Sequence, residues 1–396
     1  MKIDGVIYLD HQATSPLDST VLSEMMPYFE GRFGNPHSGD HAVGWRASQA
    51  VDRAAAEIAH LIGADPDEII FTSGATEANN LALLGLAREG LARKRRRILV
   101  SAIEHKCILE IGRALAAEYG FTIETLPVDT TGRLDLDALQ SSISDDVFLV
   151  SVMAANNEIG TIQDIKRISE LVGTAGAYFH CDAAQAPCAM DVSRLADQAD
   201  LVSLSSHKIY GPSGIGALFV RRDLQSKMRP TILGGGQQNG LRSGTLPTAL
   251  CVGFGAATRL AASEESRLRR DQLANLRDSF LEQLENLPCK VWVNGPPSSG
   301  FRHPGNLNVG FEGILAADLL SRLQPALAAS TGSACTSGFP EPSHVLRAVG
   351  LDDERAASSV RFSLGKDTKA NDIREAAALI EQAVRDLIDM GLLEAG

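Results

Sequence analysis

Between about residues 65 and 220, short apolar runs alternate with segments of helical periodicity, and this alternation constrains the fold more than any other feature of the chain. Strands that alternate with helices form βαβ crossovers, which place the strands side by side in a parallel sheet. Ligands of such sheets bind at the carboxyl edge. The sequence therefore predicts an α/β fold with a mostly parallel sheet. The predicted strands are Glu68–Thr72, Ile98–Ser101, Phe121–Leu126, Val147–Met153, Ala177–Asp182, Leu201–Ser205 and Gly214–Val220.

The pattern changes after Gly255, where long charged helical segments (Ala262–Leu287 and Asn371–Met390) flank two short strands. A chain of 396 residues exceeds one ordinary core. We expect a large domain over residues 15–260 and a smaller α+β domain formed by residues 1–14 and 261–396. The small-residue stretch at about 328–340 predicts a loop that carries Cys335.

Charge and hydropathy exclude some classes of function. A net charge of −12 argues against a general nucleic-acid binder, because such proteins neutralise phosphates with Lys and Arg. The basic run 93–97 lies between a helix and a strand and is interpreted as a solvated helix end. The apolar runs are too short to cross a bilayer, and the first residues lack the pattern of a signal peptide, so we expect a cytoplasmic protein without a membrane partner.

The six cysteines show no Cys-x-x-Cys pair, and disulfides are not expected. Five of them lie in apolar contexts and are predicted to be small core residues: Cys107, Cys181, Cys188, Cys251 and Cys289. A metal role for Cys181 and Cys188 is less favoured than core packing. His37, Asp40 and His41 have metal-like spacing but lie in a Gly/Pro-flanked loop, and no metal site is predicted.

Lys208 stands where the apolar strand 201–205 ends and a Gly/Pro turn begins. A lysine there either protects a sheet edge or projects into a ligand crevice to do chemistry. The segment alone leaves both interpretations open.

Three other strand ends carry polar groups. The turn before Ala75 and Thr76 starts a helix whose free N–H groups suit a phosphate, although a Ser/Thr with a nearby Glu is also an ordinary helix cap. Asp182 could pair with a protonated ring nitrogen, and His105 could stack on a flat ring, whereas each taken singly could be a helix cap or a loop residue. Together with Lys208, they supply the amine, carboxylate, ring cover and anion site that pyridoxal 5'-phosphate (PLP) needs.

With this set of residues, the chain closely resembles the cysteine desulfurases of the NifS/IscS type. These are PLP enzymes of fold type I, the aspartate-aminotransferase-like fold, within the class V aminotransferase family. The resemblance covers nearly the whole chain, and its motifs occur in the family order: 8–10, 34–36, 72–76, 104–106, 156–160, 182–185, 206–211, 242–247, 332–337 and 361–363.

The resemblance implies a role for each matching residue. Lys208 would bind PLP covalently, Asp182 would pair with the ring nitrogen, and His105 would cover the ring and help to move protons. Gln185 would bond the ring hydroxyl, Asn157 would contact cofactor and substrate, and Arg361 would hold the substrate carboxylate. The phosphate would be held by Ala75, Thr76, Ser205, His207 and, from the second subunit of a homodimer, Thr245.

The resemblance also implies the reaction. Cys335 matches the family nucleophile, which takes the sulfur of L-cysteine as a persulfide, releases L-alanine and passes the sulfur to an acceptor protein for Fe–S clusters, tRNA thiolation or a related pathway. The alternatives are another fold-type-I PLP reaction, such as transamination or selenocysteine lysis, and a non-catalytic scaffold. For Cys335 itself, the alternative is a plain exposed thiol.

Two departures from the family pattern stand out. Ser15 replaces a threonine and keeps its hydroxyl, and Gln238 and Asn239 replace a Glu-Arg pair. The second departure predicts a different surface charge and, with it, a possible difference in partner docking.

Overall fold

The computed structural model describes residues 1–297, 300–332 and 343–390. The strands in that part of the chain are β1 (Lys2–Ile3), β2 (Val6–Tyr8), β3 (Ile69–Thr72), β4 (Arg97–Ser101), β5 (Thr122–Leu126), β6 (Val147–Ser151), β7 (Tyr178–Asp182), β8 (Leu201–Ser205), β9 (Gly216–Val220), β10 (Val291–Asn294), β11 (Asn306–Phe311), β12 (Leu327–Ala328) and β13 (Ser359–Ser363).

The helices are α1 (Ser19–Phe29), α2 (Ala42–Ile62), α3 (Ala75–Ala92), α4 (Lys106–Tyr119), α5 (Leu136–Ser142), α6 (Ile165–Thr174), α7 (Ala186–Ala189), α8 (Leu195–Gln198), α9 (Arg222–Gln225), α10 (Thr248–Ala261), α11 (Glu264–Leu284), α12 (Ala316–Arg322), α13 (His344–Ala348), α14 (Asp353–Ala357) and α15 (Ala370–Asp389). Short 3₁₀ turns cover Pro66–Glu68, Ser206–Lys208 and Gln238–Gly240.

Seven strands form the central sheet in the order β3-β9-β8-β7-β6-β4-β5. Neighbouring strands are parallel except around β9, which runs antiparallel to both β3 and β8. Strands β6, β7 and β8 are buried at every position, as expected of a parallel sheet covered on both faces. The predicted α/β fold with a mostly parallel sheet is confirmed.

Helices cover both faces of this sheet. One apolar cluster lies under α2, α6 and α10, and a second lies under α3 and α4 on the opposite face. Helix α2 shows how the sequence sets its ends: His41 caps the first turn by accepting from the Gly44 amide, and Gly63 ends the helix at a φ of 77°. A side chain at Gly63 would also approach the Ser193 carbonyl to 2.4 Å, so only glycine suits that position.

The C-terminal third contributes an antiparallel sheet, β10-β11-β13, and its apolar cluster includes residues of α11, α12 and α15. The N-terminal strand β2 pairs with β1 and β12 in a third sheet, and an isolated bridge joins Asp10 to Ser363, the last residue of β13. The N-terminal residues therefore connect to the C-terminal part of the chain. The domain boundaries at 14/15 and 260/261 stay a prediction.

The basic run 93–97 is largely engaged in internal bonds. Arg95 donates to the carbonyls of Val147 and Ala175, and Arg97 pairs with Glu124 and Asp146. Within the described residues, no helix is long and apolar enough to cross a membrane.

Candidate active site

The polar residues of interest follow the carboxyl ends of five strands of the central sheet, all of which run in the same direction. The start of α3 follows β3, His105 follows β4, Asn157 follows β6, Asp182 ends β7 and Lys208 follows β8. Because these strands are parallel to one another, their carboxyl ends meet at one edge of the sheet. The edge thus brings together residues that lie far apart in the sequence.

Lys208 closes the 3₁₀ turn that follows β8. Its Nζ atom donates to the carbonyl oxygens of Gln12 and Ala13, each 2.7 Å away. Burial, reinforced by the positive charge of Arg361, lowers the pKa of Lys208 to about 8. A substantial fraction of this lysine is therefore a neutral amine near neutral pH, and only the neutral amine is a nucleophile.

The turn that carries Lys208 is held by Ser15, the residue that departs from the family pattern. The Ser15 hydroxyl donates to the His207 carbonyl at 2.7 Å and accepts from the Tyr210 amide at 2.8 Å. The hydroxyl that the serine keeps therefore fixes the loop on both sides of the lysine.

Asp182 is 5% exposed and pairs with no cation in the described part of the chain. Its Oδ1 atom accepts from the Ala184 amide at 3.0 Å, and its Oδ2 atom accepts from the Asn79 amide group at 2.7 Å. A buried carboxylate normally has a cationic partner. Asp182 is thus placed to receive one from a ligand, such as a protonated ring nitrogen.

The start of α3 has the properties of an anion site. Its N-cap is Gly74, and no side chain caps the first turn, which holds Ala75 and Thr76. A Cβ on Gly216 of β9 would lie 2.7 Å from Gly74, so the strand and the turn are packed backbone against backbone. The exposed amides and the helix dipole at this end favour a phosphate.

Ser205 and His207 lie on the β8 side of the same edge. Ser205 ends β8, and the Nδ1 atom of His207 lies 3.0 Å from the Thr14 hydroxyl. Burial, followed by the charge of Lys208, lowers the pKa of His207 to about 4. His207 is therefore a neutral imidazole near pH 7 and can offer a hydrogen bond but no positive charge.

His105 caps helix α4. Its Nδ1 atom accepts from the Cys107 amide at 3.2 Å and lies 3.0 Å from the Cys107 sulfur. The Asn79 amide group donates to the same sulfur at 3.2 Å. The prediction that Cys107 is a small core residue is therefore wrong in part: one side of it packs against the core, but its sulfur faces the polar groups of the site.

The other cysteines differ from Cys107. Cys181 and Cys251 are fully buried in the hydrophobic core, as predicted. Cys188 and Cys289 pack against apolar clusters with part of their surface exposed. Among the described residues, no group of three His, Cys, Asp or Glu side chains could hold a metal ion.

Gln185 and Asn157 reach the edge in different ways. The Gln185 amide group donates to the Gln12 carbonyl at 2.9 Å, the same oxygen that accepts from Lys208. Asn157 follows the turn that Asn156 stabilises, and its carbonyl accepts from Arg361 at 2.8 Å. Gln185 thus lies near Lys208, and Asn157 lies next to Arg361.

Arg361, in β13, is 3% exposed. Its Nη2 atom donates to Asp10 at 2.6 Å and to the Ser330 hydroxyl at 2.8 Å. Its Nε atom has no hydrogen-bond partner within the described chain. A buried guanidinium with a free donor is well suited to receive a carboxylate.

Glu104 is a buried acid for which the sequence analysis predicts no role. It is completely buried, and burial together with the charge of Asp182 raises its pKa to about 8. A neutral acid therefore lies near Asp182. Nearby, the ring nitrogens of the buried His180 lie 2.9 Å from the Ser151 hydroxyl and 3.1 Å from the Ser203 hydroxyl.

Contacts among the described residues do not bring Thr245 to this edge. Thr245 is exposed, on a loop that Arg242 ties to the first turn of α3 through an ion pair with Glu77. Cys335 lies outside the described residues. Gln238 forms two hydrogen bonds with the main chain of Phe71 in β3, so its side chain covers a sheet edge.

The residues at the edge fit PLP. The uncapped start of α3 suits its phosphate, the unpaired carboxylate of Asp182 suits its ring nitrogen, and Lys208 offers an amine for its aldehyde. The structure thus supplies the donor set that this cofactor requires.

Comparison with known proteins identifies the family. The family model for aminotransferase class-V matches residues 7–375. The chain is 44% identical over 387 residues to a protein of Rickettsia bellii (strain OSU 85-389) named cysteine desulfurase IscS, with 98% of this chain and 93% of the relative covered.

Two solved structures agree with this assignment. A NifS-like protein matches with a TM-score of 0.88 and 33% identity, covering 96% of this chain and 99% of the other. A structure titled SspA in complex with cysteine matches with a TM-score of 0.78 and 36% identity, covering 90% and 98%. The chain therefore belongs to the class-V aminotransferase family and, within it, to the PLP-dependent cysteine desulfurases.

Proposed function

We propose that this protein removes the sulfur of free L-cysteine, releases L-alanine and holds the sulfur as a persulfide on Cys335. The observation that carries the proposal is the combination, at one sheet edge, of Lys208, a buried lysine of lowered pKa, and Asp182, a buried carboxylate that pairs with no cation among the described residues. A relative whose structure is titled as a complex with cysteine supports the choice of substrate.

When bound, PLP supplies an electron sink that acidifies the α-proton of the substrate and weakens its carbon–sulfur bond. Asp182 would hold the ring nitrogen, Gln185 the ring hydroxyl and His105 one face of the ring. The phosphate would be held by Ala75, Thr76, Ser205 and His207 and by Thr245 of a second subunit.

Lys208 has two tasks in this proposal. As a neutral amine it would form the covalent bond with the cofactor aldehyde. Once released from that bond, its Nζ atom would be free to accept and return a proton. The lowered pKa of about 8 suits both tasks, because a proton carrier works best with a pKa near the working pH.

Arg361 and Asn157 would hold the substrate. The free Nε–H of Arg361 can donate to the substrate carboxylate, and the bond to the Asn157 carbonyl fixes the guanidinium near the sheet edge. His105 would move a proton at Nε2, since its Nδ1 atom already accepts from the Cys107 amide.

Cys335 would perform the sulfur transfer. Its thiolate attacks the sulfur of the substrate, a new sulfur–sulfur bond forms, and the carbon–sulfur bond breaks with its electron pair left on the carbon. A proton then completes the methyl group of L-alanine. The balance is one cysteine thiol and one L-cysteine converted into one persulfide and one L-alanine.

The surface supports a homodimer as part of the proposal. Apolar side chains are exposed on α1, on the segment that follows it and at the start of α2: Leu22, Met26, Phe29, Phe33 and Trp45. Exposed large apolar side chains are typical of a subunit interface. The exposed position of Thr245 agrees with a role in the site of a second subunit.

The persulfide would pass to an acceptor protein, such as an Fe–S scaffold or a sulfur carrier. The five cysteines in the described part of the chain are free thiols, which suits the reducing cytoplasm that we propose as the compartment.

The direct test is the variant Cys335→Ser, assayed with L-cysteine for alanine and persulfide. We expect both products to be lost while the visible absorbance of the bound cofactor is kept, and Cys289→Ser to behave as wild type. Alanine formation that survives in Cys335→Ser would contradict the persulfide mechanism.

A second measurement separates the rival functions. The visible absorbance of the cofactor should disappear in Lys208→Ala. If the wild-type protein also lacks this absorbance, the protein would be a non-catalytic scaffold. Turnover of L-selenocysteine, but not L-cysteine, would indicate a selenocysteine lyase. Conversion of L-cysteine into 3-mercaptopyruvate, with a second amino acid formed from a keto acid, would indicate an aminotransferase.

A further inference from the structure

We propose that Cys107 is a positioning residue for His105: its thiol donates to His105 Nδ1 and thereby holds the imidazole in the form that carries its proton on Nε2. This inference rests on the proposed function, because it specifies how the residue that covers the ring is prepared for its work.

The geometry around Nδ1 sets the tautomer. Both the amide nitrogen and the sulfur of Cys107 face this atom, at 3.2 Å and 3.0 Å. Either group can donate only to a nitrogen that carries a lone pair. A neutral imidazole with an unprotonated Nδ1 has its hydrogen on Nε2. The start of α4 therefore selects one of the two neutral forms of His105.

The thiol is the donor in its contact with the imidazole. Burial, followed by the charge of Asp182, raises the pKa of Cys107 to about 12, so the sulfur keeps its hydrogen. The Asn79 amide group donates to the sulfur at 3.2 Å. Since the sulfur acts as acceptor toward Asn79, its own hydrogen is available for Nδ1.

Asn79 connects this pair to the other side of the ring site. Its amide nitrogen donates both to the Cys107 sulfur and to Oδ2 of Asp182, and its side chain is fully buried. The carboxylate that faces the ring nitrogen and the imidazole that covers the ring are thus joined through two side chains. Such a network helps to fix the position of the Asp182 carboxylate relative to the His105 imidazole.

The competing explanation is that Cys107 only fills space at the start of α4. Two substitutions separate the explanations. Cys107→Ala removes the donor, while Cys107→Ser keeps a donor of similar size. A packing role predicts similar behaviour for the two variants, whereas a donor role predicts that serine retains what alanine loses.

The first readout needs neither cofactor nor turnover. Nitrogen NMR of the ¹⁵N-histidine-labelled apoenzyme reports the tautomer of His105, whose signal is identified by its loss in His105→Asn. We expect the Nε2–H form in wild type and Cys107→Ser. In Cys107→Ala the main-chain amide of residue 107 remains as a donor, so we expect the Nε2–H form to persist together with a detectable fraction of the Nδ1–H form. Cys289→Ala serves as the control that changes neither the signal nor the activity.

The second readout uses the holoenzyme. In Cys107→Ala we expect kcat for L-cysteine to fall roughly tenfold with little change in KM, and the visible circular dichroism of the cofactor to change, with Cys107→Ser restoring both. An unchanged tautomer in Cys107→Ala, or a serine variant that behaves like the alanine variant, would overturn the proposal. Because the tautomer is measured in the apoenzyme, a failure of the desulfurase assignment would leave that result intact.

Discussion

The Oδ1 atom of Asp10 lies 2.6 Å from Nη2 of Arg361, although the two residues are 351 positions apart. The bridge between Asp10 and Ser363 brings the end of β2 beside β13 and makes this contact possible. The N-terminal segment thus orients the guanidinium that we propose for the substrate carboxylate, and the same segment offers the Gln12 carbonyl to Lys208.

The first prediction concerns this ion pair. Asp10→Ala leaves a buried guanidinium without a carboxylate, and we expect a loss of about 3 kcal/mol in the free energy of unfolding. Without its orienting partner, Arg361 should also bind substrate less well, and KM for L-cysteine should rise roughly tenfold. Asp10→Asn keeps an acceptor oxygen and should lie between wild type and Asp10→Ala. Chemical denaturation and steady-state kinetics measure both effects, and an unchanged KM in Asp10→Ala would contradict the orienting role.

The second prediction follows from the pKa of Lys208, which burial and the charge of Arg361 lower to about 8. Only the neutral amine attacks the cofactor aldehyde, so the rate of PLP attachment to the apoenzyme should rise with pH and level off above about 8. Stopped-flow absorbance follows this reaction. Arg361→Gln removes one cause of the lowered pKa and should move the inflection to higher pH. A rate that keeps rising through about pH 10 would indicate an ordinary lysine.

Periodicity is enough to predict the central sheet and to identify the polar residues that end its strands. Apolar runs mark buried strands, and the residue after a parallel strand reaches the ligand edge whatever its distant contacts are. For this reason Asp182, His105 and Lys208 could be placed on one edge before any coordinates were known.

Some contacts at the site leave no trace in the local sequence pattern. Cys107 precedes the apolar residues Ile108 and Leu109, so its surroundings resemble a helix interior, and only the folded chain shows its sulfur beside His105. Gln238 was interpreted as a surface difference, yet its amide pairs with the main chain of β3. Such bonds depend on the path of the chain and not on composition.

The third prediction concerns the stability of the holoenzyme as a function of pH. Burial, followed by the charge of Asp182, raises the pKa of Glu104 from 4.5 to about 8. Between these values the folded protein holds a proton that the unfolded chain releases. Stability is therefore lost as pH rises, by up to about 1.4 kcal/mol per pH unit, and the dependence ends above about pH 8.

Glu104→Gln removes this titration while keeping a neutral group of the same shape. The stability of the variant relative to wild type should therefore increase from about pH 5 to about pH 8, as measured by denaturation at several pH values. The exposed Glu282→Gln is the matched control and should show no such trend. A Glu104→Gln difference that stays constant with pH would show that Glu104 is ionised in the folded protein.

The fourth prediction tests the start of α3 as the phosphate site. A Cβ on Gly216 would lie 2.7 Å from Gly74 and 2.6 Å from the Leu204 carbonyl, both of which are main-chain groups that cannot move aside easily. Gly216→Ala should therefore displace the turn before Ala75, and the affinity for PLP should fall more than tenfold. Gly173→Ala in α6 meets no atom within 4 Å and serves as the control with unchanged affinity. Equilibrium titration of the apoenzyme with PLP measures the effect, and inorganic phosphate should protect wild type against heat better than it protects Gly216→Ala. Equal affinities in the two glycine variants would place the phosphate elsewhere.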